Sequence, residues 1–232
     1  MKTRLLPLLL VPCFPASAQQ NALDFDNNGD QVIVDNASSL IAGQSAISLS
    51  CWVYPKNTAP SFPDFDGIAG FRNEFDCDFY LLHLAPNTIE ARMRNSAGVE
   101  FTVTGGPFTL NTWQLLVLTY DGTTLKLYAN GVLSGSLAAN GTLESTVTPL
   151  QIGDLVYDIN DFWMNGRVDE IGLWKRALTE AEIACLRNTP PSSSDPDLML
   201  YFNCDQGTAG GSNSGITELI DATGHINGGI SG

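Results

Sequence analysis

Residues 113–137 read WQLLVLTYDGTTLKLYANGVLSGSL. Three short apolar runs, Trp113–Tyr120, Thr124–Ala129 and Val132–Leu137, are separated by Asp121-Gly122 and Asn130-Gly131. Asp-Gly and Asn-Gly supply the positive φ angles that tight hairpins demand. The spacing predicts a three-stranded antiparallel meander. Upstream, Ala46–Tyr54 places Ile47, Leu49, Cys51 and Val53 on one side and Ser48, Ser50, Trp52 and Tyr54 on the other. This period of two marks a strand with one face toward a core. Asp78–Leu84, Thr88–Arg94 and Val99–Val103 follow the same logic between Pro, Asn and Gly breaks. A single helix is predicted near residues 179–188. There Thr179 and Glu182 form a capping box, and Pro190-Pro191 stops the turn. Many strands and one short helix predict an all-β, two-sheet antiparallel jelly-roll sandwich.

Composition sets the limits. The 232 residues carry 25 acidic and 11 basic side chains, a formal charge of −14, with 44% hydrophobic residues. The apolar share suffices for a core. The acidity argues against nucleic acid or an anionic membrane as partner, because both attract basic patches. It leaves a cation or a neutral ligand such as a glycan open.

The chain starts Met1-Lys2-Thr3-Arg4, continues through an apolar run from Leu5 to Phe14, and reaches Ala16-Ser17-Ala18. A basic start, a short apolar middle and an A-x-A end predict a secretory signal peptide over residues 1–18 and a secreted or cell-surface protein. No later run is long and apolar enough to cross a membrane. Beyond the leader remain Cys51, Cys77, Cys185 and Cys204. An even count in an exported chain reads as two disulfides. Three pairings are possible. Cys51–Cys77 and Cys185–Cys204 are favoured, since each closes a short loop.

Three further stretches stand in order: LDFDNNGDQVIV (23–34), the W…LTYDG…LKLYANG series within residues 113–131, and GRVDEIGLWKRALTEAEI (166–183). Together they resemble the LamG-like jelly rolls of the concanavalin A-like lectin/glucanase superfamily. The domain predicted from this likeness spans residues 22–204. Residues 205–232 form a tail that is either a last strand or a linker to a further module. The resemblance implies non-catalytic binding of an extracellular glycan or protein, as in recognition and cell adhesion, with calcium as a possible ion. In related jelly rolls such an ion joins the first strand to the strand bearing an Asp-Glu pair. Here that implies Asp26, Asn28 and Asp30 meeting Asp169. The run Asp24–Asp35 also matches EF-hand spacing formally, but Gln31–Val34 alternates like a strand, so a helix–loop–helix is rejected.

Two alternative readings accompany this one. Laminarinase-type glucanases of the same superfamily carry Glu-x-Asp-x-Glu on one strand, and Glu74, Asp76 and Asp78 resemble it with a shorter third acid. A retaining pair would have to approach within about 5–5.5 Å. The other reading is a structural spacer in a larger surface protein. For recognition, two loop clusters offer a rim: Asp64 and Asp66 beside Phe62 and Phe65, and Tyr157, Asp158 and Asn160. Aromatic rings stack on sugars, and Asp or Asn accepts hydroxyl hydrogens. Trp52, Trp113, Trp163 and Trp174 lie within or beside strand motifs and are read as mainly core.

Overall fold

The computed structural model describes residues 21–57, 62, 64–73, 77–85, 87–106, 108–144, 148–156, 160–208 and 210–232. The strands are β1 (Leu23–Asp26), β2 (Gln31–Val34), β3 (Ile47–Pro55), β4 (Asp66–Asn73), β5 (Cys77–Leu84), β6 (Thr88–Arg94), β7 (Glu100–Gly105) and β8 (Gln114–Tyr120). There follow β9 (Thr124–Ala129), β10 (Val132–Ala138), β11 (Leu150–Ile152), β12 (Asn165–Trp174), β13 (Leu198–Phe202), β14 (Glu218–Leu219) and β15 (Gly228–Ser231). Two short helices interrupt them, α1 (Ser38–Ile41) and α2 (Glu180–Leu186).

The strands form two antiparallel sheets packed face to face. The first runs β1-β12-β3-β8-β9-β10, with β13 also paired to β12; the second runs β14-β15-β2-β11-β4-β5-β6-β7. This is the predicted two-sheet sandwich, and β8, β9 and β10 are the predicted meander. The Asn130-Gly131 turn holds both residues at positive φ, +51° and +80°, as a type I′ hairpin requires. At Asp121, the carboxylate accepts the Thr123 and Thr124 amides at 2.9 and 2.8 Å.

The inner faces make one continuous core. Ile47, Leu49, Cys51 and Val53 of β3, Leu116 and Leu118 of β8, and Leu125 and Leu127 of β9 meet Phe71 of β4, Phe79 and Leu81 of β5, and Ile89 and Met93 of β6. Full burial of each such side chain stabilises by about 1.5–3 kcal/mol before entropy is counted. The residues alternating with these point outward. On the first sheet, part of that outer face is covered by α2 and the segment after it, which enclose Leu115, Val117, Tyr128, Trp174, Ile183 and Leu198.

The helix α2 has the predicted capping box: the Glu182 amide donates to Thr179 Oγ1 and the Thr179 amide to Glu182 Oε2. The four-residue α1 was not predicted; it has no side-chain cap and only Ile41 buried, so nothing in its pattern marks it. In the tail, β15 pairs with β2, Gly229 opposite Ile33, and extends the second sheet.

The disulfide expectation is corrected. Cys51, Cys77 and Cys204 are buried free thiols, so neither Cys51–Cys77 nor Cys185–Cys204 forms. Cys51 sits on β3 and Cys77 begins β5, in opposite sheets, where each fills core space as a small apolar side chain. Burial pushes the Cys51 and Cys204 thiols well above their ordinary range. In unreduced protein, Cys51, Cys77 and Cys204 are expected to ignore a thiol reagent until denaturant is added and then all to react. Titration in which these three stay silent after denaturation would restore the bridges.

Candidate functional site

The strand β12 does not carry a single partner along its outer edge. Its first half pairs with β1, Leu23 opposite Val168, and its second half with β13, Ile171 opposite Phe202. On its other edge β3 runs alongside both halves, but the register slips between Asp169, opposite Trp52, and Gly172, opposite Ser50. Two residues, Glu170 and Ile171, therefore face the single Cys51, which is a β-bulge. Val168 and Ile171 still point into the core, while Asp169 and Glu170 both remain half-exposed. Glu170 takes φ +51° to achieve this, a left-handed value that a side chain other than Gly rarely adopts. Such strain clusters at functional sites.

Next to the bulge lies a cavity of about 430 Å³. Its sheet wall is Ser50 and Trp52 of β3, Leu115 of β8, Trp113 just before it, and Asp169 and Glu170. The opposite wall is the end of α2 and the residues after it, Leu186 through Pro191, and Asn21 and Ala22 contribute before β1. Arg176 pins this second wall: its guanidinium binds Glu182 at 2.9 Å, Asp195 at 3.0 Å and Asp197 at 3.2 Å. Ser48 joins it to the sheet, accepting the Leu178 amide and donating to the Arg176 carbonyl, both at 2.9 Å. An aromatic stripe continues beyond the cavity. Trp113 and Tyr54 have ring centroids 5.6 Å apart, and Arg167 stands 5.5 Å from the Tyr54 ring.

The electrostatics of the bulge are unusual. Burial, then the neighbouring Glu170 and Asp205 charges, push the Asp169 carboxyl up to about 8. Glu170 is raised too, by burial and by Asp205, against the hydrogen bond it accepts from the Tyr201 hydroxyl. The Glu170 amide donates to Asp169 Oδ1 at 2.8 Å. Neither Asp169 nor Glu170 has an ion-pair partner among the described residues.

The expected site residues are scattered. Asp26, Asn28 and Asp30 lie at the far end of the β1–β12 pair, with Asp26 opposite Asn165. Asp169 is four residues further along β12, roughly 13 Å at strand rise. The structure does not bring the four together, and no group of three or more His, Cys, Asp or Glu among the described residues is arranged to hold a metal ion. Asp169 therefore does not share one calcium site with Asp26, Asn28 and Asp30. Asp30 is raised, by burial and then by Asp26.

Of the proposed rim, Asp66 is not a loop residue. It opens β4, is 2% exposed, binds His83 Nδ1 at 2.8 Å and accepts the Asn165 amide at 3.1 Å. Its partners are structural, and the two glycines of β4 had hidden the strand. Asp64 is exposed and Asn160 half-buried; Tyr157 and Asp158 lie outside the described residues, as do Glu74, Asp76 and the leader. Asp78 is 1% exposed on the outer face of the second sheet, ion-paired to Arg94 at 2.8 Å. Burial raises it to about 6 despite Arg94.

Sequence reading missed Trp52 and Trp113 as lining residues. Trp174 is buried as expected, but Trp52 and Trp113 are half-buried against the cavity and Trp163 is 37% exposed. The signal was present in Trp52, which keeps phase with Ser48 and Ser50 rather than with the core residues.

A carboxyl raised in the folded state binds more protons there than when unfolded, so stability falls as pH rises through that interval. For Asp169 the interval runs from the unfolded value near 4 to about 8. Melting temperature should therefore decline between pH 5 and 8, and Asp169→Asn should flatten the decline. An unchanged slope in this variant would remove the assignment.

No curated protein sequence matches the chain. Solved structures do. A candidate carbohydrate-binding protein of Bacteroides ovatus superposes with TM-score 0.66 at 18% identity, over 93% of this chain and 59% of that one. The binding domain of Paraclostridial Mosquitocidal Protein 1 gives 0.58 at 18% identity, over 72% and 43%. The CBM40 of the Ruminococcus gnavus IT-sialidase, bound to α2,3-sialyllactose, gives 0.56 at 13%, over 72% and 97%. The chain thus spans less than two thirds of the first two proteins, and at these identities the likeness is one of fold. The Laminin_G_3 model matches residues 26–184, more than half of the chain, and with the sandwich described above this makes the protein a member of the concanavalin A-like lectin/glucanases superfamily.

Proposed function

We propose that the protein is an extracellular, non-catalytic recognition module that holds a glycan in the cavity beside the β12 bulge. One observation carries this reading: Trp52 and Trp113 line a cavity together with two carboxyls, on a sheet face where neighbouring aromatic side chains are packed under α2. Indole faces receive the C–H face of a sugar ring, and carboxyl and amide groups fix its hydroxyls. Ser50, Asn188 and Thr189 supply further hydrogen-bonding groups along the lining. The mechanism is complementarity on a rigid frame: the sheet holds one wall, and Arg176 holds the other.

The fold relatives support the reading by their chemistry, since they include a sialyllactose-bound module and a candidate carbohydrate-binding protein. The predicted leader supports an extracellular setting, and no helix among the described residues is long and apolar enough to cross a membrane. Asp78, the third acid of the glucanase-like run, is held by Arg94, and recognition requires no acid–base pair.

A glycan array followed by calorimetry tests the proposal. Trp113→Ala should weaken binding by about tenfold or more, near 1.4 kcal/mol, with the circular dichroism spectrum unchanged. Trp163→Ala, outside the cavity lining, should leave affinity as it is. Binding that survives Trp113→Ala, or none across a broad panel, would leave the spacer reading in its place.

A further inference from the structure

Resting on that reading, we propose that the sugar selected by the cavity carries a free primary ammonium: the ligand is an amino-sugar glycan. The geometry that points there is the bulge. In a regular strand Asp169 and Glu170 would face opposite sides of the sheet. The extra residue in β12 instead leaves both on the cavity wall, beside Trp52. No cation of the described residues pairs with either; what faces them is the Tyr201 hydroxyl, the Cys204 thiol, the Glu170 amide and the further acid Asp205. The basic residue on the lining, Arg187, is exposed, and its stem runs over Gly131. A neutral glycan would leave two adjacent carboxyls partly desolvated with only hydroxyls to compensate. An ammonium supplies three donors and a positive charge: on binding it, the bulge releases to solvent the proton it holds when empty, and the carboxylate so formed accepts charge-assisted bonds about twice as strong as neutral ones. The indoles favour the same ligand twice over. Their faces stack on a sugar ring, and they attract a cation. The overall charge of −14 steers cations toward the surface.

A lysine side chain would present the same ammonium on a flexible stem. A cavity of about 430 Å³ floored by flat rings suits a ring-shaped body better.

The experiment compares a short glucosamine oligosaccharide with its fully N-acetylated counterpart, by calorimetry on the full chain at mildly acidic pH and fixed salt. The free-amine form should bind at least about tenfold more tightly. Glu170→Gln, and Asp169→Asn with Glu170→Gln, should abolish that preference while thermal melts verify folding. Equal affinity, preference for the acetylated form, or a preference untouched in the double variant overturns the inference. Capture of a lysine-rich peptide in place of the sugar also overturns it. If a neutral glycan binds through Trp113 and the amine form gains nothing, only this inference falls; if no glycan binds and Trp113→Ala changes nothing, the recognition reading falls with it.

Discussion

The strand β12 has to serve two neighbours along one edge, β1 at its start and β13 at its end, while staying paired to β3 on the other. A strand cannot do this and keep Val168 and Ile171 both in the core without gaining a residue, because side-chain direction alternates strictly. The bulge at Glu170 and Ile171 supplies that residue. Core phase, the closure of the first sheet and the pairing of two acids on the outer face all follow from the same local irregularity. Its conformational strain sits on Glu170, and the surrounding pairings hold it there.

Around this point the two faces of the first sheet do different work. The inner face is closed by apolar side chains and by thiols that act as apolar side chains, with Cys51 directly across from the bulge. On the outer face, α2 covers one part and leaves another open to form a cavity with the following segment. Arg176 is the tie between these parts, since one guanidinium reaches α2 and two acids of the connection toward β13. The second sheet is organised differently: Asp78, Glu90 and Glu100 meet Arg92 and Arg94 in ion pairs, so its outer-face charges are compensated. Uncompensated carboxyls beside a cavity are a feature of the bulge.

Much of the architecture is legible in residues 113–137, because tight turns and a period of two are local properties. The capping box before α2 is legible for the same reason. β4 is not, because Gly67 and Gly70 dilute its pattern and its burial comes from pairing with β5 and β11. Asp66 consequently reads as a loop acid, although it is a buried partner of His83. The site is legible only in fragments. Trp52 shares the phase of Ser50, which points it away from the core. The acid pair 169–170 is visible as an Asp-Glu motif, yet its likeness to family calcium sites draws it toward Asp26, which the register places at the other end of β1.

The sequence by itself determined the fold class, the meander, the phase of β3 and the cap of α2, since each depends on residues within a few positions of one another. Tertiary structure alone decided that Cys51, Cys77 and Cys204 remain thiols, that Asp169 is remote from Asp26, and that Glu170 shares a face with Asp169. Those outcomes depend on which strands lie side by side and where their register slips. Such long-range pairings leave no periodic trace in either strand taken alone.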